Sequence, residues 1–208
     1  MFGWRRTPER TSIVMTTIGP FSLERVVNAV EKVRQRLLKA AAALRAADVA
    51  YAVIGGNAVA LWVSRVDEAA VRNTQDVDIL IRREDFDAAR AALERTGFTY
   101  RHAAGADMFL DGPAAKPRDA VHVVFANEKV KAHEPLPNPD VSEAEETDLF
   151  RVISLEALVR IKLTAFRDKD RTHLRDLIDV GLVGADWLPR LPPSLVGRLR
   201  QLLDTPEG

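Results

Sequence analysis

Two aspartates, Asp76 and Asp78, lie at the start of an apolar run where few charged residues are expected. Residues 77–81 read VDILI, a pattern that predicts a β-strand. Because side chains alternate between the two faces of a strand, these carboxylates should project the same way and lie close together. Like charges held that close raise one pKa unless a cation neutralises them. The spacing therefore favours a site for an oxygen-binding divalent cation such as Mg²⁺, with ion pairs to Arg72 or Arg82 as the alternative.

A glycine pair, Gly55-Gly56, follows a second apolar run at residues 51–54 and precedes a helical pattern. Glycine is common at such a turn for reasons of backbone freedom alone. Exposed N–H groups at the start of a helix would also suit a phosphate group. The aspartates downstream favour the phosphate interpretation.

The composition is that of a globular protein with room for one good core. The chain has 208 residues, 47% of them hydrophobic and 29% charged, and its 30 basic residues balance its 30 acidic ones. Zero net charge gives no overall attraction to nucleic acid or membranes. Cysteine is absent, which excludes disulfides, thiolate metal sites and a cysteine nucleophile. With no apolar run of about 18 residues and no signal-peptide core, we expect a cytoplasmic protein without membrane association.

Helical and strand patterns alternate along the chain, which predicts an α/β (α+β) fold. The helices to expect are at residues 22–48, 57–64, 84–96, 155–167, 170–183 and 194–203, and the strands at 51–54, 77–81, 98–101, 107–110, 120–125 and, as an edge strand, 150–153.

Four segments are predicted from this pattern. Residues 1–20 form a flexible N-terminal arm, and residues 21–131 form the α/β core. Residues 132–148 contain three prolines and an acidic run, which predict a linker. Residues 149–208 form a helical C-terminal subdomain that packs on the core.

The segments GGNAVALW and RNTQDVDILI resemble the signature of the DNA polymerase β-type nucleotidyltransferase superfamily. The R-x-T-x-D-x-D form of residues 72–78 is most similar to the bacterial branch of AbiE-type toxins and minimal nucleotidyltransferases. Lys162, Arg167 and the RDLID run at 175–179 resemble the helical motif of that branch. The resemblance extends over residues 51–183 and implies a nucleotidyltransferase-like mixed sheet flanked by helices.

The resemblance also implies a site. In the superfamily the two aspartates hold Mg²⁺, or Mn²⁺, which bridges the triphosphate of an NTP, so that Asp76 and Asp78 would be the metal ligands. Asn57 stands where Ser or Thr is commoner, although its amide can still bind a phosphate. The implied nucleotide-binding residues are Gly55, Gly56, Asn57, Arg72, Thr74 and Lys162, and the implied catalytic residues are Asp76, Asp78, His122 and Lys162.

His122 marks the departure from the family pattern. The superfamily places a third carboxylate on a neighbouring strand, and in the run AVHVVF its expected position holds His122. An imidazole there could act as a base, as a nitrogen ligand or as a hydrogen-bonded core histidine. Asp119, at the start of the strand, could substitute only in a shifted register.

Lys162 lies between Leu158 and Phe166 at helical spacing, on the inner face of its helix. An inward lysine needs an anion, either a nucleotide phosphate or a buried acid such as Asp176. The charges at Arg167, Arg175, Asp176 and Asp179 also fit a structural network of ion pairs.

We therefore expect a Mg²⁺-dependent enzyme that moves an NMP from an NTP to an acceptor hydroxyl on RNA, protein or a small molecule. The alternative is a catalytically impaired relative that binds a nucleotide, RNA or a protein partner, as one member of a toxin–antitoxin or regulatory pair. A purely structural partner protein is a third alternative. His122 is the residue that separates the first two.

Overall fold

The computed structural model of the chain describes residues 22–112 and 115–205, so the predicted arm at 1–20 lies outside the described residues. Within these ranges the α-helices are α1 (Leu23–Ala46), α2 (Gly55–Ser64), α3 (Phe86–Arg95), α4 (Leu155–Ala165), α5 (Asp168–Asp179) and α6 (Pro193–Asp204). The strands are β1 (Tyr51–Ile54), β2 (Val77–Ile81), β3 (Phe98–Ala103), β4 (Ala106–Asp111), β5 (Ala120–Phe125), β6 (Ala144–Glu146) and β7 (Arg151–Ile153). The predicted α/β class is confirmed.

The strands form one seven-stranded mixed sheet in the order β3-β4-β5-β2-β1-β7-β6. Strand β2 is antiparallel to β1 and parallel to β5, and β1 is parallel to β7. The registers place Asp78 of β2 directly between Ile54 of β1 and His122 of β5. The two motifs that the sequence singled out are therefore joined in the middle of the sheet.

The prediction of an edge strand at residues 150–153 was wrong, because β7 lies inside the sheet, between β1 and β6. Strand β6 lies within residues 132–148, where the sequence predicted a linker. Each of these strands has only three residues, too few for an alternating pattern to stand out in the sequence. The sheet thus takes strands from both sides of residue 148, while the division into four segments stays a prediction.

Helix packing places α5 beside the glycine turn. Helices α1 and α3 pack against each other and against the sheet, while α2 contacts β1, β2, α4 and α5. Leu158 and Leu163 of α4 and Leu174 and Leu177 of α5 are fully buried in the same core as the sheet. No helix in the described ranges has both the length and the apolar character needed to cross a membrane.

Candidate functional site

The glycine turn is shaped by the side chains that face it. Gly55, the first residue of α2, has a φ of +69°, and a Cβ atom there would lie 1.9 Å from Oδ2 of Asp78. A Cβ atom on Gly56 would lie 2.8 Å from the Thr74 hydroxyl oxygen. Both glycines are therefore required by close approach, and they let the Asp78 carboxylate lie against the start of a helix.

Asp76 lies one residue before β2 and is held by three polar side chains. The Thr74 hydroxyl donates to its carboxylate at 2.8 Å, and the Lys169 ammonium lies 3.2 and 3.3 Å from its two oxygens. Asn57 donates to the Asp76 backbone carbonyl at 2.8 Å. Burial raises the pKa of Asp76, but the Thr74 hydrogen bond and the Lys169 charge outweigh it and leave that pKa below its usual value. Asp76 is thus an ionised carboxylate that is paired with the Lys169 ammonium.

Asp78 has the opposite character. Burial raises its pKa above the usual value, and the charge of Asp76 raises it further, against smaller opposing effects from Lys162, Lys169 and His122. No donor in the described ranges hydrogen-bonds its carboxylate. The sequence predicted that two close carboxylates would raise one pKa, and Asp78 is the one that rises.

The alternative ion pairs to Arg72 and Arg82 were predicted wrongly. Arg72 donates to Asp176 at 2.7 Å, and Arg82 makes two bonds to Asp140, at 2.7 and 3.1 Å. Both guanidinium groups are therefore committed to other carboxylates. The cation next to the aspartate pair is Lys169 of α5, which lies 93 residues after Asp76 in the sequence.

His122 lies level with Asp78 in the parallel pairing of β2 with β5. Its side chain lines a cavity of about 500 Å³, here called the sheet cavity, together with Asp76 and Asp78. Asp119 precedes β5 and lines a different cavity, next to α1. The structure therefore places the histidine, and not Asp119, beside the aspartate pair, and the catalytic role of His122 stays a prediction.

Lys162 is buried, with 3% of its surface exposed, and its ammonium lies 3.1 Å from Oδ1 of Asp170. The sequence predicted a phosphate or a buried acid such as Asp176. The anion is a buried acid, but it is Asp170, while Asp176 accepts from Arg72. Asp170 also accepts from the Arg167 side chain at 2.7 Å and from the Arg167 backbone N–H, which caps α5. Burial lowers the pKa of Lys162, and the Asp170 carboxylate opposes that shift. Lys162 also borders a cavity of about 150 Å³ whose wall includes Gly55 and Asp78.

One face of α5 carries functional candidates that the sequence interpretation missed. Lys169, His173 and Asp176 follow at intervals of four and three residues, which places them on the same face of the helix. They line a cavity of about 330 Å³, here called the α5 cavity, whose wall also includes Arg72 and Asp76. The helical spacing was the signal available in the sequence, but charges of both signs fill the run RDKDRTHLR and no single residue stands out.

Two residues that line the α5 cavity, His173 and Asp176, each have one buried polar atom without a partner in the described part of the chain, Nδ1 and Oδ2 respectively. Burial, with the nearby charges of Lys162 and Lys169, lowers the pKa of His173 to about 4. The imidazole is therefore neutral near pH 7, with one nitrogen that donates a hydrogen bond and one that accepts. The Asp176 oxygen can accept a hydrogen bond from a ligand that reaches it, and Nδ1 of His173 can donate or accept according to its tautomer.

The family of the chain follows from comparison with known proteins. The model of a family described as uncharacterised nucleotidyltransferases matches residues 22–181, more than half of the chain. The chain belongs to this family. The predicted nucleotidyltransferase resemblance is confirmed at that level, while the AbiE-type branch stays a prediction. Comparison with curated protein sequences gave no match.

Solved structures support the nucleotidyltransferase fold. An antigenic nucleotidyltransferase-like protein from Paracoccidioides brasiliensis is 18% identical, with a TM-score of 0.56 over 85% of this chain and 89% of that one. The antibiotic-resistance factor ANT(2″)-Ia, whose solution structure shows substrate-regulated conformation dynamics, is 15% identical, with a TM-score of 0.50 over 86% and 92% of the two chains. At these identities the likeness extends to the fold alone.

The aspartate pair of this nucleotidyltransferase-family chain fits a hard divalent cation. The described residues contain no ready-made group of three His, Asp or Glu ligands. Mg²⁺ needs none, because it is commonly bound by one or two carboxylates with substrate phosphates and water as its other ligands. Asp78, with its raised pKa and no hydrogen-bond donor, and Asp76, already paired with a cation, both have oxygens suited to this role.

Proposed function

We propose that the chain transfers an NMP from an NTP to an acceptor hydroxyl, with Mg²⁺ or Mn²⁺ held by Asp76 and Asp78. The observation that carries this proposal is the position of the Asp78 carboxylate. It is partly buried, its pKa is raised, and it lies so close to Gly55 that no other residue would fit there. A partly buried carboxylate beside a second acid is costly to keep ionised, and binding a cation together with a phosphate would relieve that cost.

The chain's own residues would mainly position the reactants. Backbone N–H groups of Gly55 and Gly56 at the start of α2 would face the triphosphate, and the bound metal would neutralise charge on it. Thr74 and Asn57 hold the carboxylate and the backbone of Asp76 in place, which supports a positioning role for both. Transfer to an acceptor hydroxyl in this fold is largely a matter of such positioning and charge neutralisation.

Of the α5 cavity and the sheet cavity, the α5 cavity is the better candidate for the nucleotide site. Gly56 and Arg72 are in its wall, and so are His173 and Asp176, each of which has a polar atom without a partner in the described residues. Lys162 would act from the opposite side, where its ammonium is close enough to Asp78 to oppose the rise in that carboxyl pKa.

The sheet cavity would then take the acceptor. It adjoins the α5 cavity at Asp76 and contains His122, which could accept the proton of the attacking hydroxyl. The acceptor would be a hydroxyl of RNA, of a protein or of a small molecule, and the fold likeness to an antibiotic-resistance factor keeps the last of these in view.

His122 itself supports a second candidate function. A histidine where the superfamily has its third carboxylate removes one oxygen ligand from the site. The second candidate is therefore a catalytically impaired protein that binds a nucleotide, RNA or a protein partner, as part of a toxin–antitoxin or regulatory pair of the AbiE-type branch.

Calorimetric titration with each of the four NTPs in the presence of Mg²⁺ tests both candidates. We expect binding of at least one NTP. Asp78→Asn should weaken its affinity about tenfold or more, or by about 1.4 kcal/mol, because a metal ligand is lost. Asp111→Asn is the matched control, since Asp111 pairs with Lys39 away from both cavities. Far-UV circular dichroism would show that both variants fold.

Transfer separates the two candidates. We expect α-labelled NTP to label RNA, protein or a small-molecule hydroxyl, and Asp78→Asn to lower the rate by about a hundredfold or more. NTP binding without transfer to any of the three acceptor classes would support the impaired relative. No NTP binding with Mg²⁺ or Mn²⁺ present would contradict the enzyme and also an impaired relative that binds a nucleotide.

A further inference from the structure

The ion pair between Lys169 and Asp76 has an unusual geometry. The ammonium lies 3.2 Å from one carboxylate oxygen and 3.3 Å from the other, so it bridges the edge of the carboxylate. The side chains of Lys169 and Asp76 are 50% and 27% exposed. The Lys169 cation therefore occupies an accessible position that a metal ion bound to Asp76 would also need.

The backbone beneath Lys169 is held firmly. The next residue, Asp170, is 1% exposed and ties α5 to both Lys162 and Arg167. The Lys169 side chain has no hydrogen bond within the described ranges other than those to Asp76. A lysine has a flexible four-carbon stem with a rotatable ammonium, so it can change partner while the helix stays still.

Lys169 also borders the α5 cavity, whose wall includes Gly56 and Arg72. This is the cavity that the proposed function assigns to the nucleotide. An ammonium and a divalent cation repel each other when they share one carboxylate, and a triphosphate offers the displaced ammonium a new anion nearby.

We propose that Lys169 is a nucleotide-binding residue that neutralises Asp76 when no metal is bound and contacts a phosphate oxygen when metal and nucleotide are bound. This inference rests on the proposed function. Lys169, and not Lys162, is the lysine that changes partner, because Lys162 is buried in its ion pair with Asp170. Two consequences of opposite sign follow. Lys169 competes with a metal ion that binds alone, and it assists a metal that arrives with a polyphosphate.

The test measures both binding reactions on the full chain with Lys169→Met, which keeps most of the length of the side chain and removes its charge. Mn²⁺ alone is titrated and followed by the electron paramagnetic resonance signal of the free ion. Inorganic tripolyphosphate with Mg²⁺ is titrated by calorimetry, so that the identity of the base does not matter. We expect Lys169→Met to bind Mn²⁺ about threefold to fivefold more tightly, as the loss of an exposed ion pair suggests. We expect it to bind Mg²⁺-tripolyphosphate about tenfold more weakly, because a charge-assisted hydrogen bond is lost.

Lys129→Met is the matched control. Lys129 is an exposed lysine that borders the sheet cavity, and it has no ion pair in the described ranges. It should leave Mn²⁺ affinity within about twofold of the natural chain, since a screened charge without direct contact acts weakly. Lys169→Arg keeps the charge and should stay near the natural chain in both titrations.

The inference is overturned if Lys169→Met leaves Mn²⁺ affinity unchanged or lowers it while the natural chain binds Mn²⁺ and Mg²⁺-tripolyphosphate. It is also overturned if Lys129→Met changes both affinities as much as Lys169→Met does. If the natural chain binds neither Mn²⁺ nor Mg²⁺-tripolyphosphate, the proposed function fails, and the inference about Lys169 fails with it.

Discussion

Two lysine–aspartate ion pairs lie near the start of α5. They have the same chemistry, but one is buried and the other is exposed to solvent. In the pair of Lys162 with Asp170, the side chains are 4% and 1% exposed. In the pair of Lys169 with Asp76, they are 50% and 27% exposed. The N–O distances are almost equal, at 3.1 and 3.2 Å. Burial therefore distinguishes the two pairs, and the contact distance does not.

The difference shows how one helix can both stabilise the fold around a site and provide a residue that binds the ligand. A buried ion pair gains its attraction at a large cost in desolvation, so removing one partner leaves a charge that water cannot reach. An exposed pair is close to neutral in free energy because water and salt replace each partner easily. The buried pair fixes where α5 begins, and the exposed pair leaves Lys169 and Asp76 free to exchange partners with a ligand.

The largest effect should come from Asp170→Ala. This change leaves Lys162 buried without an anion and removes the cap that Arg167 and Asp170 form at the start of α5. We expect the free energy of unfolding in urea to fall by about 3 to 5 kcal/mol. Asp168→Ala is the matched control, because Asp168 is 92% exposed and should cost less than about 1 kcal/mol. Equal losses in the two variants would show that the buried pair is no more important to stability than the exposed residue beside it.

The next effect concerns His173, whose pKa is lowered to about 4, first by burial and then by the charges of Lys162 and Lys169. Between that value and about 6.5, the unfolded chain binds a proton that the folded chain does not. Stability should therefore rise with pH across this window, by about 1 to 2 kcal/mol because water screens this partly exposed group, and the gain should be lost as the pH falls through the window.

Urea unfolding of the natural chain and His173→Gln, at intervals from pH 4.5 to 7, measures this contribution. Carboxylates whose pKa is lowered in the folded state, such as those of Asp76 and Asp170, lose their contribution as the pH falls toward their own values. They are present in both proteins, so the difference between the two curves isolates the histidine. Parallel curves would mean that His173 is not kept neutral by its surroundings.

The sequence predicted the parts of the site that depend on local pattern. Alternation in a strand was enough to bring Asp76 and Asp78 together. The family resemblance identified His122, which lies level with Asp78 in the sheet. The glycine turn was recognised from its position between a strand and a helix, although the reason for it, the contact with Asp78, needed the structure. The mixed sheet followed from the family resemblance.

The ion pairs were mostly predicted wrongly, and the reason is physical. Which cation meets which carboxylate depends on how distant segments pack, since Arg72 meets Asp176 and Lys169 meets Asp76 across about half the chain. A charged residue has several partners within reach of its long side chain, and no periodic pattern selects among them. Asp170 was missed for the same reason, because its burial comes from the packing of α4 on α5.

The smallest effect is expected when the two lysines are replaced, one at a time, by methionine. These variants test the comparison most directly, because the substitution is the same at both positions. Lys162→Met should lower the free energy of unfolding by about 1 to 3 kcal/mol. The loss is smaller than that of Asp170→Ala because Arg167 still neutralises Asp170 and methionine fills the apolar site. Lys169→Met should change it by less than about 0.5 kcal/mol, since the Thr74 hydrogen bond to Asp76 remains.

Urea unfolding of both methionine variants near pH 7 provides the measurement. A loss of more than 1 kcal/mol in Lys169→Met would mean that this exposed pair holds the fold together, and a side chain needed for the fold is poorly suited to exchange its partner for a phosphate. A near-zero change in Lys169→Met, together with the expected loss in Lys162→Met, would show that the fold does not need the contact between Lys169 and Asp76. That contact would then call for a functional explanation.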